Sequence, residues 1–528
     1  MQSRWVAPVG GVALALVLAL ASMPWGSDPA WAQIFDAWSL DSGLEFGPAL
    51  PSARLQALGG MRVAVPDENN EIHLLDFAGN LAGHLDDKPT GHVDAFVGRR
   101  QWFDRTRPSL RDQDVKVSPA GVRVNMIPSS KYALGGSVDY LIGSSERLVT
   151  PDFRRRFGLP VENPISGSTD GTLLESDLNS PAITAHYARR LGSKLAAGME
   201  VGLSKENEDR QSITSYEIDH DAKTGLIRAS VAVRVLEARG PFRHWVAGAN
   251  GRLSRTDVKG ISADQLHDDV FDWERPAVGY QLHLLGNAWE SVKGGVDFRY
   301  DSFEGQETVK MNWSAQFPLN PTLRTIRIER SSFSEGFRSS AFRTRWEGRL
   351  SGRPMVWGAA FEARQQEFWQ FTAQNVNSFV TSKSERLTDW RGTAGSTYFL
   401  PRGRGLFAAE LAYGWADRDN RISRPVVRVG ASSLELGGGA EIAVALPLVL
   451  RAGYRLLLDD ANRDRGDPER EFSTHRLAAG AGYRSSSGQV LVDLGFGYDF
   501  VDPGAGGAAD PVEGQDRKAF NLQVRSMF

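Results

Sequence analysis

Strict period-two alternation, recurring in segments of roughly ten residues, is the feature that most constrains this chain. Leu448, Leu450, Ala452, Tyr454 and Leu456 share one face, and Arg451, Gly453 and Arg455 the other. Val490, Val492, Leu494, Phe496, Tyr498 and Phe500 alternate in the same way with Asp493, Gly495, Gly497 and Asp499. Further segments begin near Leu195, Ile227, Val292 and Met355. Successive side chains of a strand point to opposite sides, so each segment has one apolar face and one face of glycine and charge. About ten residues cross a bilayer at a tilt, and soluble strands average about half that length. Aromatic residues gather near segment ends, at Tyr132, Tyr140, Trp357, Trp390, Tyr398, Tyr413, Trp415, Tyr498 and Phe500, as two interfacial girdles require. The pattern predicts an all-β protein, a transmembrane antiparallel β-barrel.

Composition agrees. A mean hydropathy of -0.32 excludes a bundle of membrane helices but permits a barrel, in which only alternate residues meet lipid. Cysteine is absent, which removes disulfide frameworks and thiolate metal sites. The formal net charge of -3 over 528 residues gives no electrostatic footprint for nucleic acid.

The two ends carry targeting signals. Arg4, an apolar run over 11–21 and Ala30-Trp31-Ala32 predict a signal peptide over 1–32, cleaved before Gln33. The apolar run is too short to span a bilayer. At the other end Phe520, Leu522, Val524, Ser526 and Phe528 alternate with Asn521, Gln523, Arg525 and Met527. This ending resembles the C-terminal signal that the barrel-assembly machinery of the outer membrane recognises. Phe520, Leu522, Val524 and Phe528 are therefore the expected barrel-closure signal, with the last strand leaving no open edge.

Connections alternate in length. Short ones are expected near 128–130, 192–193, 238–241, 286–290, 319–321, 351–353, 401–404, 446–447 and 485–488, and longer polar ones over 143–178, 205–223, 259–275, 370–384 and 459–470. In transmembrane barrels short turns face the periplasm and long loops the exterior. Two strands about each short turn, a first strand near 93–103 and the final strand give about twenty. The expectation is 18–20 strands within a range of 14–20, with an even number placing both termini in the periplasm.

Residues 33–90 lack this alternation, and 91–528 form the expected barrel. Within 51–85 the order Ala53-Arg54, Leu58-Gly59-Gly60, Val63-Ala64-Val65, Asp67, then Asn80 with Ala82-Gly83 resembles the N-terminal segment of the long-chain fatty-acid transporter superfamily, which includes FadL-like channels and PorV-like barrels. Leu81 stands where that family carries proline. The resemblance implies a hatch, or plug, folded into the periplasmic mouth. Gly59, Gly60, Gly79 and Gly83 allow tight turns in a confined lumen. The candidate hatch and ligand contacts are Gly59, Gly60, Leu74, Leu75, Phe77 and Asn80.

The inward faces are expected to mix Arg228, Arg234, Arg299, Arg364, Arg391, Arg451 and Arg455 with Glu200, Asp297, Glu362, Glu410, Asp493 and Asp499. A one-sign ladder would select ions; the mixture reads as structural ion pairing or a path for polar solutes. No nucleophile elbow, zinc-protease helix or phosphate loop occurs, and the nine histidines show no metal spacing. Asp459, Asp460, Asp464 and Asp467 fall in an expected solvated loop without the EF-hand pattern. The chain is read as a non-enzyme without metal or cofactor. The function expected from the resemblance is an outer-membrane transporter or channel for hydrophobic or amphipathic small molecules, gated by its hatch. The alternatives are a PorV-like subunit holding partner proteins at the cell surface, and a general porin. The expected partners are outer-membrane lipid and lipopolysaccharide, the barrel-assembly machinery and a hydrophobic cargo.

Overall fold

The computed structural model describes residues 52–61, 63 and 65, the eighteen strands named below, and positions 131, 191–192, 194, 350, 352–354, 400–404, 447 and 485–489 between them. The expected signal peptide over 1–32 lies outside the described residues, as do Leu74, Leu75, Phe77, Asn80 and Phe528.

A short helix, α1 (Ala53–Ala57), precedes the strands. They are β1 (Thr90–Phe103), β2 (Val115–Ser129), β3 (Tyr132–Ser145), β4 (Leu174–Arg190), β5 (Leu195–Ser212) and β6 (Glu217–Leu236). Then come β7 (Arg243–Ala263), β8 (His267–Trp289), β9 (Val292–Gln316), β10 (Arg324–Arg349), β11 (Met355–Gln374) and β12 (Val380–Phe399). The series ends with β13 (Gly405–Asn420), β14 (Val427–Ala445), β15 (Leu448–Arg463), β16 (Arg470–Arg484), β17 (Val490–Pro503) and β18 (Asp516–Met527). Each strand pairs antiparallel with its sequence neighbours, and β1 pairs with β18, from His92 opposite Met527 to Phe103 opposite Asp516. The sheet is a closed barrel without an edge.

Eighteen is the lower of the expected counts, and the difference from twenty has one source. The connection expected as a short periplasmic turn at 319–321 lies between β9 and β10. Those strands are 25 and 26 residues long, so that connection is at the end opposite the turns near 290 and 352. The sequence reading divided two very long strands into four. Several expected loops are likewise wall: 205–212 and 217–223 belong to β5 and β6, 259–263 and 267–275 to β7 and β8, 370–374 and 380–384 to β11 and β12, and Asp459 and Asp460 to β15. Above the hydrocarbon both faces of a strand meet water, so the apolar alternation that marks a strand fades although the ladder continues.

The wall is therefore uneven. Strands run from 14 residues in β1 up to 26 in β10 and back to 12 in β18. A bilayer needs about ten, so β9 and β10 carry about 50 Å of strand beyond it.

The outward face is an apolar band. Leu195, Met199, Ile227, Val231, Val233, Phe298, Phe361, Leu448, Leu450, Leu494, Phe496, Phe520 and Val524 are all exposed, on the face that the alternation assigned to lipid. Aromatics sit at two levels. Near the short turns are Tyr398 and Tyr483, with Trp245 beside Trp346 at 6.4 Å. Roughly ten residues further along the strands are Tyr280 stacked on Tyr300 at 5.1 Å, and Trp390 beside Tyr413 at 5.5 Å. Ten residues of tilted strand rise about 25 Å, the height of the apolar band of an outer-membrane barrel. In the lower girdle Trp245 lies over Gly286, Trp346 over Gly294 and Trp357 over Gly348, where a Cβ would meet the indole rings at 2.6–2.7 Å. The glycines make room for rings to lie flat on the strands.

Candidate functional site: the lumen wall and its N-terminal segment

The inward residues pair across neighbouring strands. Arg525 forks onto Asp94, at 2.6 and 3.1 Å, directly across the β1–β18 seam that closes the barrel. Arg476 forks onto Asp499 between β16 and β17 at 2.7 and 2.9 Å. Arg451 on β15 bridges Glu441 at 2.8 Å and Asp493 at 2.6 Å. Arg455 bridges Glu410 at 2.8 Å and Glu435 at 2.7 Å, and Arg391 reaches the same Glu435 at 2.6 Å. Arg364 holds Asp389 at 2.7 Å, and Arg228 lies 3.3 Å from Glu200. A chain of amides and charges crosses four strands: Asn250 donates to Gln281 at 2.7 Å, Gln281 to Asp297 at 2.6 Å, and Arg343 to Asp297. Asp297 is 1 % exposed, so its charge requires these partners. Forked arginine–carboxylate pairs are the stronger kind of ion pair.

The expected inward set thus takes part in cross-strand pairing at Arg228, Arg364, Arg391, Arg451, Arg455, Glu200, Asp297, Glu410, Asp493 and Asp499. The side chain of Arg234 is not described. Glu362 stands opposite Arg343 and Arg391 in the ladder. Sequence reasoning missed Asp94, Arg343, Glu435, Glu441 and Arg476, and placed Arg525 on the polar face of the last strand without its partner, because the pairing depends on register between strands far apart in the chain.

Residues 52–61, 63 and 65 lie against this inner wall. Ser52 caps α1, its hydroxyl accepting from the Leu55 amide at 3.0 Å. Gly59 and Gly60 end the helix at φ 81° and 77°. There the Gly60 amide donates to the Leu55 carbonyl at 2.8 Å and the Gly59 amide to Gln56 at 3.1 Å. These are the paired bonds of a Schellman cap, which needs a residue free to adopt positive φ. Polar contacts tie the segment to the wall at several strands. Arg54 bonds Glu441 through Nε at 2.8 Å and Nη2 at 3.2 Å. Gln56 donates to the Ala519 carbonyl at 2.9 Å and accepts from Asn521. The Val63 amide donates to Glu410 at 2.9 Å, and Arg345 donates to the Val63 carbonyl at 3.4 Å.

The apolar side packs equally closely. Leu58, Met61 and Val65 are buried with Leu406 and Ala408 of β13. Glycines on the inward faces provide the seat. A Cβ on Gly439 would lie 3.2 Å from that of Leu58, and one on Gly437 3.1 Å from the Met61 methyl. A Cβ on Gly453 would land on the Leu58–Gly59 backbone, on Gly480 against Ala57, on Gly495 against the Ala53 carbonyl, and on Gly358 against Val63. Five strands, β11 and β14 to β17, thus lack side chains where the segment rests. Glu441 and Gly480 lie within a few residues of the short turns at 447 and 485–489, so the seat is in the short-turn half of the lumen. The signal was present in the sequence as glycine on the polar faces; what it supported was not. Of the expected hatch contacts, Gly59 and Gly60 are placed here. Among the described residues no cluster of three or more potential metal ligands occurs.

No protein-family model matches the sequence, and a search of curated proteins finds no match. Solved structures with a similar fold include the Pseudomonas putida toluene transporter TodX, 10 % identical with a TM-score of 0.36 over 90 % of this chain and 96 % of that one. A Pseudomonas aeruginosa FadL homologue is 10 % identical with a TM-score of 0.35 over 90 % and 97 %. The ferric yersiniabactin uptake receptor FyuA of Yersinia pestis is 8 % identical with a TM-score of 0.41 over 84 % and 80 %. Likenesses at these values carry no further argument about this chain.

Proposed function

We propose that this chain is an outer-membrane transporter for hydrophobic or amphipathic small molecules, in which residues 33–90 act as a hatch in the lumen. The observation that carries this reading is the seating of 52–61, 63 and 65 on the inner wall, on glycines of five strands and under the Arg54–Glu441 and Val63–Glu410 contacts. A segment that only hung from the barrel mouth would need neither a glycine seat nor buried polar anchors. The resemblance of 51–85 to the fatty-acid transporter segment supports the cargo class. In this orientation the short turns and both termini face the periplasm, and the tall β7–β10 wall faces outward.

Three consequences set the mechanism. The cargo enters from the side of the tall wall. It meets the segment in the short-turn half. Its release requires the segment to move, or a path past it. Arg54 shares Glu441 with Arg451, which also holds Asp493. When Arg54 leaves, Arg451 still compensates Glu441, so undocking strands no buried carboxylate.

Deletion of residues 33–88 tests the reading by single-channel conductance in a planar bilayer. The expected result is a sharp rise relative to the mature chain. Unchanged conductance overturns the hatch. Uptake of a lipophilic fluorescent probe into vesicles that carry the barrel separates the cargo classes. Uptake is expected to exceed that of a small sugar, and the reverse order indicates a general porin.

A further inference from the structure

We propose that the adjoining β10–β11 and β12–β13 turns hold a binding site for the phosphate headgroup of an anionic phospholipid, in the leaflet beside the short turns. Three arginines make it. Arg353 stands in the connection 350–354, and Arg402 and Arg404 in 400–404. The Leu350 amide donates to Met355 at 3.1 Å and the Leu400 amide to Gly405 at 2.9 Å, so both turns are tight. β11 and β12 place them side by side. Met355 pairs with Tyr398, and the Phe399 amide donates to the Pro354 carbonyl at 2.8 Å. The middles of the two hairpins are therefore two strand spacings, about 10 Å, apart. A phosphate between them is within reach of all three long side chains. Guanidinium groups suit it, because their forked donors match phosphate oxygens.

The three arginines have no protein contact to give up. All are exposed, and among the described residues their side chains make no hydrogen bond or ion pair. Neither connection contains an acid. Glu347 and Glu441, on the strands next to these turns, are on the inward face of the wall. Glu441 already bridges Arg54 and Arg451, and Glu347 has a contact of its own. Of the flanking short connections, 446–447 is uncharged. The β8–β9 connection carries one acid, Glu290, on the far side of Arg353 from the other two arginines. The patch keeps a net positive charge with that acid counted.

The depth is that of a headgroup. Tyr398 and Phe407 face each other across β12 and β13, both exposed, at the level of the lower girdle. The turn closes two residues later, which puts it about 7 Å past these rings. The headgroup layer of one leaflet is roughly 5–8 Å thick. Tight turns carry the arginines no further into the water, where a soluble partner would be met. Leu350 is exposed beside them, and with Tyr398 and Phe407 it offers acyl chains an apolar surface. Cationic side chains at this depth draw anionic headgroups.

Arg402 carries a second sign. Among the described residues it is the one non-glycine at positive φ, 61°, where the β-carbon crowds the following carbonyl. An arginine there strains the turn, and the exposed guanidinium is the compensating gain.

This inference rests on the membrane placement proposed above, with the short turns toward the periplasm. The test is lipid titration of the full mature chain in detergent, read by native mass spectrometry. The probes are phosphatidylglycerol, phosphatidylethanolamine, lipid A and glycerol phosphate. The unmodified chain is expected to hold phosphatidylglycerol roughly tenfold or more tighter than phosphatidylethanolamine, whose own ammonium cancels its charge. Equal binding of the two overturns the proposal, and that comparison needs no variant. Each cation near an anionic lipid contributes roughly a fivefold gain in binding. The triple variant Arg353→Gln, Arg402→Gly, Arg404→Gln is therefore expected to bind phosphatidylglycerol roughly a hundredfold more weakly. Arg402→Gly alone is expected to lose about fivefold with a urea midpoint no lower, since glycine accepts positive φ. Unchanged binding in that single variant overturns the proposal whatever the midpoint. So does an equal loss on replacing Lys131, Arg190 and Lys194 by Gln, cations at the same end that already have contacts. Glycerol phosphate that binds as tightly as the lipid overturns the lipid assignment. Lipid A held more tightly through the same three arginines overturns the leaflet and the orientation, while the conductance of the hatch deletion judges transport by itself.

Discussion

At the scale of single residues the structure turns on what each strand presents inward. Asp94 and Arg525 face one another across the closing seam, separated by 431 positions in the chain. Replacing Asp94 by Ala leaves a buried guanidinium uncompensated, which costs about 3–5 kcal/mol. Urea unfolding in lipid vesicles is expected to show that loss, and the exchange of the two residues is expected to restore part of it. A midpoint unaffected by Asp94→Ala would mean that the seam does not depend on the pair. Glycine has the opposite role. Gly453 sits where the Leu58–Gly59 backbone presses on the wall, so Gly453→Val is expected to evict the segment without unfolding the barrel. The readout is conductance that approaches that of the 33–88 deletion. On the outer face, Leu436 and Leu411 are directly paired and exposed. Leu436→Arg, between the two aromatic levels, is expected to destabilise the barrel by about 2–4 kcal/mol in the same urea unfolding. None of the inward pairings was legible in the sequence. Alternation says which residues face inward, but only register says which of them meet.

At the scale of elements, what was legible and what was not has a physical boundary. Where one face meets hydrocarbon and the other water, the alternation is strong, and the strands about the turns at 192, 352, 401–404, 447 and 485–488 are placed as expected. Where both faces meet water, composition no longer marks a strand. Residues 205–223 read as a loop although β5 and β6 fill most of them, and 319–321 read as a periplasmic turn although β9 and β10 run unbroken to either side. The short helix α1 shows the other limit. Its cap at Gly59 and Gly60 was foreseeable from two adjacent glycines, whereas the seat beneath it required seven inward glycines, from Gly358 to Gly497, to be seen together. The upper parts of β9 and β10 exceed what a membrane requires. Removal of 306–334, a cut between the paired Gly305 and Glu335, is expected to leave a barrel that still resists unfolding in cold detergent. Loss of the folded form on electrophoresis would show that the tall wall is part of the folding unit.

At the scale of the whole molecule, closure decides the rest. Eighteen strands joined in a ring leave the sheet no open edge, which is what a sheet needs to stand in lipid. The same closure creates a lumen that has to be filled, lined or left open. Here a dense set of arginine–carboxylate pairs lines it, and an N-terminal segment occupies part of the short-turn half. The absence of cysteine makes the arrangement directly testable, because two introduced thiols have no competitors. A Cβ at Gly497 would meet only the Gln56 side chain, its Cγ at 3.8 Å, which places thiols at the two positions within disulfide reach without pressing on the segment's backbone. The most direct measurement is therefore cross-linking of the double variant Gln56→Cys, Gly497→Cys in the membrane-inserted protein, with Gln56→Cys, Gly225→Cys as control. Near-complete disulfide formation in the first and none in the second is the predicted result; two free thiols in both would contradict a segment seated on the lumen wall.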